Sequence, residues 1–154
     1  MRRREFIAGL GGAAAWPVVA RAQQGERLRR IAFLLPLAAD DPTAKVRTSA
    51  LRQGLEQLGW IEGRNILLEY RYGAGDSDRI RKLAAELVSL KPDVIVANGT
   101  TAVAALRQET RTTPVVFIGA SDAVGSGFVA SLSRPGGNIT GFTYFEPSMG
   151  RQMA

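Results

Sequence analysis

The chain has 154 residues, a formal net charge of +6 and an apolar fraction of 45%, values typical of one globular domain with an ordinary core. It contains neither histidine nor cysteine. These absences exclude disulfides, a lipid-modified cysteine, Ser-His-Asp and Cys-His nucleophilic relays, and metal sites built from thiolate or imidazole. We therefore expect no cofactor, no metal and no enzymatic activity.

Residues 1–22 have the pattern of a bacterial export signal. Arg3-Arg4 is followed by a spacer and two apolar residues, then by an uncharged stretch over 8–20, and Ala20-Arg21-Ala22 matches a signal-peptidase site. The uncharged stretch is shorter than the roughly 20 residues that cross a bilayer as a helix. We predict a twin-arginine-type signal peptide over 1–22, cleavage after Ala22, a periplasmic location and no stable membrane anchor.

Most of the excess positive charge belongs to this predicted leader, which holds four arginines and one glutamate. The remaining residues carry 16 basic and 13 acidic side chains, a net charge of +3. These charges are interleaved along the chain rather than gathered into a basic face. We therefore predict that the protein has no nucleic-acid partner.

The first half of the mature chain predicts strand, helix, strand. A polar lead-in over 23–29 precedes a continuous apolar run over 30–35, which is typical of a strand buried on both faces. A helix is predicted from about 43 to 59, with Asp41 or Thr43 as its N-cap. Its apolar stripe consists of Val46, Ala50, Leu51, Leu55 and Leu58. A partly alternating strand over 66–72 is predicted to lie nearer a sheet edge.

The second half continues the alternation, and Asp76-Ser77-Asp78 predicts the start of the next helix. Further strands are predicted over 94–97, 115–118 and 139–142, with a helix after the first of these and a short helix over about 124–132. Crossovers of this length make neighbouring strands parallel, so we predict an open, doubly wound α/β sheet. A receiver-like domain has the same alternation, but its acidic residue would follow the third strand, whereas Asp93 precedes it.

In such a sheet, ligands bind beyond the carboxyl ends of the strands, which here are followed by loops over 36–42, 73–78, 98–101 and 119–122. The third loop carries a glycine and two hydroxyls before a helix N-terminus, a combination that can bind a carboxylate. The fourth loop carries a carboxylate that can pair with a ligand ammonium group. The candidate ligand-binding residues are Asn98, Thr100, Thr101, Ser121 and Asp122. Each of them can equally serve only as a helix cap.

The loop over 73–78 and four aromatic residues are further candidates for ligand contacts, and each also has a purely structural interpretation. The loop over 73–78 lacks the third glycine of a dinucleotide fingerprint and the later acids of a calcium loop, so we interpret it as a turn and a cap. Four aromatic residues are able to stack on a ligand, although Trp60 is expected to pack against the end of the first helix. They are Trp60, Tyr70, Tyr72 and Tyr144.

Several segments together carry a resemblance to a known family. They are Leu51-Arg-Gln-Gly-Leu-Glu-Gln-Leu-Gly-Trp60, Gly63-Arg64-Asn65-Ile66, Leu90-Lys-Pro-Asp-Val-Ile-Val96 and Ser133-Arg-Pro-Gly-Gly-Asn-Ile-Thr-Gly141. Over 30–154 the sequence resembles the ABC-transporter substrate-binding proteins, a family with tryptophan- and phenylalanine-binding members. The resemblance implies a two-lobed type I periplasmic binding fold that closes around a small solute, an amino acid or similar carboxylate, and delivers it to the ABC permease. It also implies that the five candidate residues face the interlobe cleft.

Members of this family carry a second lobe of comparable size. In this sequence we assign 30–142 to the α/β ligand-binding lobe and 143–154 to a truncated start of the interlobe crossing segment, and we expect the second lobe to be missing. A cleft with one wall would leave a ligand wet, whereas small-molecule sites usually bury about 70 to 90% of the ligand. Two alternatives are a ligand-sensing module of a signalling system and an exported cofactor-dependent enzyme. The enzyme is disfavoured because histidine, cysteine and a phosphate loop are absent.

Overall fold

The computed structural model describes residues 27–144. The predicted leader over 1–22 lies outside the described residues, as does all but the first two residues of the predicted crossing segment over 143–154. The strands are β1 (Arg29–Leu35), β2 (Ile66–Tyr72), β3 (Val94–Asn98), β4 (Val115–Ile118) and β5 (Ile139–Phe142). The helices are α1 (Pro42–Gln57), α2 (Ser77–Ser89) and α3 (Gly99–Glu109).

The five strands form one parallel sheet in the order β2-β1-β3-β4-β5. The predicted parallel α/β sheet is therefore confirmed, and β2 lies at a sheet edge as its alternating pattern indicates. Strand order reverses beside β1, whose neighbours β2 and β3 lie on opposite sides of it. The loops that follow β1 and β3 consequently leave the sheet next to each other, at the point where α/β sheets bind ligands.

Aspartate side chains start the first two helices. Asp41 Oδ1 accepts hydrogen bonds from the amides of Thr43 and Ala44, at 2.7 and 3.4 Å. Asp76 Oδ1 does the same for Asp78 and Arg79, at 2.9 and 3.1 Å. Each carboxylate satisfies two of the amides that a helix N-terminus leaves unpaired. The structure thus selects Asp41 over Thr43 as the cap of α1.

The two faces of the sheet are covered unequally. Helices α2 and α3 pack on one face, and their side chains complete a large buried cluster with the inward residues of β1, β3, β4 and β5. Helix α1 covers the other face, where Phe33, Leu35 and Val96 are buried with Ala44. Helices on both faces confirm the doubly wound architecture. The face beneath α1 remains partly open near β4 and β5, where Phe142 is exposed.

The inward side of α1 differs from the predicted apolar stripe. Val46 is 67% exposed, and Leu58 at the helix end is also exposed. The inward positions include Leu51 of the predicted stripe, together with Ala44 and Arg47, which precede it by seven and four residues and lie outside that stripe. The face of α1 that meets the sheet therefore includes Ala44 and Arg47 in place of Val46.

The predicted helix over 124–132 is wrong, since residues 121–127 form turns and residues 128–132 form bends and irregular backbone. Gly125 and Gly127 lower helix propensity there, and Gly127 has a φ of +71°. Asp122 Oδ1 accepts a hydrogen bond from the Gly125 amide at 2.9 Å, which stabilises a turn instead of a continuing helix. Val129 still reaches the core, with 4% exposure.

Candidate ligand-binding site

The candidate site lies at the edge of the sheet where all five parallel strands end. The loops after β1 and β2 are joined by backbone hydrogen bonds from Gly73, Ala74 and Gly75 to the carbonyls of residues 35, 37 and 36, at 2.8, 3.1 and 2.7 Å. Their acids Asp41 and Asp76 are used as helix caps. The turn-and-cap interpretation of 73–78 is confirmed. The side chains that remain available to a ligand come mainly from the loops after β3 and β4.

Asn98 ends β3 and is buried, with 2% exposure. It occupies the N-cap position of α3, yet its side chain makes no capping hydrogen bond. Its Oδ1 instead accepts a hydrogen bond from Nη1 of Arg47 on α1. Gly99 follows with a φ of +79°, a conformation that glycine adopts without steric cost. The first amides of α3 are therefore left without a side-chain cap at the mouth of the site.

Thr100 and Ser121 join the loops after β3 and β4. The Ser121 amide donates a hydrogen bond to Thr100 Oγ1 at 3.0 Å. Thr101, on the next position of the helix, is exposed, as is Ser121. The structure thus brings together three of the hydroxyl-bearing candidates near the start of α3, two of them through a direct contact.

Asp122 is exposed and has a φ of +44°. Its Oδ1 accepts from the Gly125 amide, and its carbonyl accepts from the Ser126 amide at 2.9 Å. The side chain therefore caps the turn that follows β4, whereas the role weighed for it from the sequence was the cap of a helix that is not formed there. A carboxylate has about four acceptor positions, so this contact leaves Asp122 able to accept a further donor.

A cavity of about 190 Å³ opens beside Asn98, between α1 and the sheet. Tyr144 forms part of its wall, with its ring so close to Gly119 that a Cβ atom there would lie 2.1 Å from Tyr144 Cε2. Gly119, with a φ of +71°, therefore permits both the turn and the ring contact. The lining residues are Phe33, Arg47, Ala50, Leu51, Asn98, Ile118 and Tyr144.

Arg47 is the residue at this site that sequence reasoning missed. Its signal was available: it lies three residues after Ala44 and four before Leu51, so helical geometry puts all three on one face. A charged residue between two inward-facing apolar residues is a candidate for function. The predicted apolar stripe began at Val46, so it placed Arg47 outside the inward face of the helix.

A second cavity, of about 330 Å³, lies at the opposite edge of the sheet. It is lined by Arg27, Leu28, Arg30, Leu67, Leu90 and Lys91. Nearby Asp93 contacts Arg27 Nη2 at 3.2 Å and accepts from the Arg30 amide at 2.8 Å. This cavity is at the amino ends of the strands, away from the crevice where parallel sheets bind ligands.

Within residues 27–144, no group of three or more acidic side chains is arranged to hold a metal ion. In the same range, no helix combines the length and hydropathy required to cross a membrane.

Comparison with known proteins identifies the family. The model of the family described as ABC transporter substrate binding protein matches residues 31–151. A tyrosine-binding protein of Clostridioides difficile is 33% identical over 89 residues, which are 58% of this chain and 26% of that protein. A conserved domain protein of Vibrio cholerae, solved by crystallography, has a TM-score of 0.73 and 30% identity over 79% of this chain and 40% of its own.

A third relative shares the fold at lower identity. It is the ABC domain from Streptococcus pneumoniae in complex with L-tryptophan, with a TM-score of 0.70 and 24% identity over 76% of this chain and 39% of its own. The chain thus spans about a quarter of the length of the curated relative and about 40% of these solved structures. The described residues correspond to a single α/β lobe of such proteins. On the match over residues 31–151, the chain belongs to the ABC transporter substrate-binding protein family.

Proposed function

We propose that this lobe forms one wall of a ligand cleft in the substrate-binding protein of an ABC uptake transporter, and that its ligand is an amino acid or similar small carboxylate. The observation that carries the proposal is the hydrogen bond from the Ser121 amide to Thr100 Oγ1, because it holds two ligand-facing loops together. The name of the tyrosine-binding relative supports an amino acid as the ligand class.

The chemistry of the two loops suits a zwitterion. The first amides of α3 lack a side-chain cap, and the positive end of the helix dipole favours an anionic group beside Thr100 and Thr101. The hydroxyls of these residues and of Ser121 can donate to the same group. Asp122 retains acceptor capacity for a ligand ammonium group. In the proposal, Asn98 and these four residues form one side of an interlobe cleft.

We also propose that residues 1–22 direct export, that cleavage follows Ala22 and that the mature protein works in the periplasm. Its membrane partner is then an ABC permease, to which the closed, loaded protein delivers the solute. A sensing role would use the same lobe. Pull-down of the mature protein from detergent-solubilised membranes distinguishes the two, since transport predicts capture of permease subunits and sensing predicts capture of a membrane kinase.

The test of the binding site is a titration of the full ¹⁵N-labelled chain with L-tyrosine, L-tryptophan and L-phenylalanine, followed by NMR. We expect amide shifts to concentrate at 98–101 and 119–122. Replacement of Thr100 and Ser121 by alanine removes two hydroxyls, each worth about 1 kcal/mol to a ligand, so affinity should fall at least about tenfold.

Two exposed residues at the opposite edge of the sheet provide the matched control, Thr112→Ala with Ser89→Ala. This double variant should keep wild-type affinity. Thermal unfolding of both double variants separates a loss of binding from a loss of folding. Equal affinity of wild type and the Thr100/Ser121 variant would contradict the proposed crevice, and the absence of shifts with any of the three amino acids would contradict the ligand class.

A further inference from the structure

Arg47 is a half-buried cation that a buried side chain holds in place. Its Nη1 donates a hydrogen bond to Oδ1 of Asn98, which is 2% exposed. A guanidinium has five N–H donors, and this contact occupies only one of its nitrogens. Taking a charge out of water is costly unless the charge is paired. An anion bound beside Arg47 would therefore pair with its guanidinium charge.

Arg71 shows how this chain treats a comparable arginine. The Arg71 side chain is 25% exposed, and its guanidinium lies 3.2 Å from Glu69 and 2.9 Å from Glu86. Within residues 27–144, by contrast, no carboxylate oxygen lies within 4.0 Å of Arg47. Arg47 and Arg71 are both partly buried. Arg71 is paired with two glutamates, whereas Arg47 has no acidic partner among residues 27–144.

Asn98 supplies a second donor. Since arginine can only donate, the contact with Arg47 fixes which end of the Asn98 amide is oxygen. Its Nδ2 group makes no hydrogen bond to any of residues 27–144. Arg47 and Asn98 both line the cavity of about 190 Å³, so the two residues with unused donors border one space.

The rest of the cavity wall is apolar or aromatic. It consists of Phe33, Ala50, Leu51, Ile118 and Tyr144. A molecule that carries a carboxylate and an apolar side chain matches this wall, because the acid meets the two donors and the side chain meets the rings and methyl groups. A fork of parallel N–H bonds makes arginine well suited to a carboxylate.

We infer that Arg47 binds the carboxylate of the ligand, that Asn98 positions Arg47 and donates to the same group, and that the adjoining cavity receives the ligand's apolar side chain. The inference rests on the proposed function and names the cation that recognises the solute. It adds a contact from α1 to the carboxylate that the proposed function places at the start of α3, the helix that Asn98 immediately precedes.

The test uses the full ¹⁵N-labelled chain and three probes of similar shape. L-phenylalanine has both charges, 3-phenylpropanoate has only the carboxylate, and phenethylamine has only the ammonium group. The Nε–Hε resonance of Arg47, assigned by its loss in Arg47→Met, reports the contact directly in the wild-type protein. We expect L-phenylalanine and 3-phenylpropanoate to shift this resonance, and we expect phenethylamine to leave it unchanged.

Variants of α1 provide the second measurement. Arg47→Met keeps the apolar stem and should weaken binding of both carboxylates at least about tenfold, while Arg47→Lys should lie between it and wild type. Arg52→Ala removes an arginine of the same helix whose guanidinium lies 3.9 Å from Glu56, and this variant should bind as wild type does. Amide spectra show whether each variant is folded. If Arg47→Met does not fold, the wild-type Nε–Hε shift decides instead, with its assignment taken from Arg47→Lys.

The outcomes separate the inference from the function on which it rests. Binding of L-phenylalanine with no Arg47 shift and no loss in Arg47→Met overturns the role of Arg47 and leaves the amino-acid site standing. Binding of 3-phenylpropanoate through Arg47 without binding of L-phenylalanine supports the inference and contradicts the amino-acid ligand. No binding of either carboxylate overturns both.

Discussion

The backbone amide of Ser121 donates a hydrogen bond to the side-chain hydroxyl of Thr100 across 3.0 Å, and this contact ties the loop after β4 to the first turn of α3. Neither residue is buried, so the contact is held by the geometry of two parallel strands that end side by side. It fixes the spacing between the two loops that the proposed ligand would bridge.

Replacement of Thr100 by valine keeps the β-branched shape and removes the acceptor. We expect a loss of about 1 kcal/mol in the free energy of unfolding, measured by urea denaturation of the full chain, because a typical hydrogen bond contributes that much. Thr101→Val, at the exposed neighbouring position, is the control and should change stability by less than about 0.5 kcal/mol. Equal effects of the two substitutions would show that the contact does not stabilise the lobe.

Replacement of Gly141 by alanine should destabilise the sheet edge. A Cβ atom at this position would lie 2.1 Å from the Phe117 carbonyl oxygen, a backbone atom of the paired strand that has little freedom to move. We expect a loss of at least about 2 kcal/mol, since overpacking of this kind typically costs 1 to 3 kcal/mol. At Gly137 the Cβ atom would meet open space, so the free energy of unfolding of Gly137→Ala should lie within about 0.5 kcal/mol of the wild-type value. A tolerated Gly141→Ala would mean that β5 is displaced easily from β4.

Two apolar truncations test the unequal packing of the helices. Leu87 of α2 has no exposed surface, so Leu87→Ala should cost about 2 to 5 kcal/mol. Val46 of α1 is 67% exposed, so Val46→Ala should cost less than about 0.5 kcal/mol, although the sequence pattern predicts it inside. Denaturant unfolding measures both. A large effect at Val46 would support the predicted stripe against the observed one.

Tyr70 predicts a loss of stability in alkaline solution. Burial, followed by the nearby charge of Glu62, raises the pKa of its phenol above the ordinary value of 10.0. The neutral phenol therefore favours the folded state; this contribution is complete below pH 10.0 and is lost as the pH rises through the higher folded-state pKa. Unfolding free energies measured on both sides of this range should fall with pH in wild type and fall less in Tyr70→Phe. Tyr144 is exposed, so in Tyr144→Phe the free energy of unfolding should fall with pH as much as it does in wild type.

The proposed export signal implies a specific dependence on Arg3 and Arg4. With both replaced by lysine, we expect precursor to accumulate in the cytoplasm, because the twin-arginine pathway reads the arginine pair and not the charge alone. Arg2→Lys leaves that pair intact and should be exported normally. Cell fractionation with immunoblotting measures both. Efficient export of the double lysine variant would refute a twin-arginine signal.

The site was only partly predictable from the sequence. Loop positions follow from strand ends, so Asn98, Thr100 and Ser121 could be named in advance, and the structure brings two of them into direct contact. From the sequence, Asp122 could be a helix cap or a ligand contact, because both roles require the same residue type. The structure shows it capping a turn at Gly125. The inward position of Arg47 depends on which face of α1 meets the sheet.

The sequence by itself determined the alternation of strands and helices, the parallel sheet and the capping acids, because hydrophobic periodicity and cap chemistry act over a few neighbouring residues. Only the tertiary structure decided the rotation of α1, the turns in place of a helix after β4, and the pairing of Arg47 with Asn98, which are 51 residues apart. Such contacts depend on how whole elements pack against each other, and a local sequence pattern does not specify the packing between distant segments.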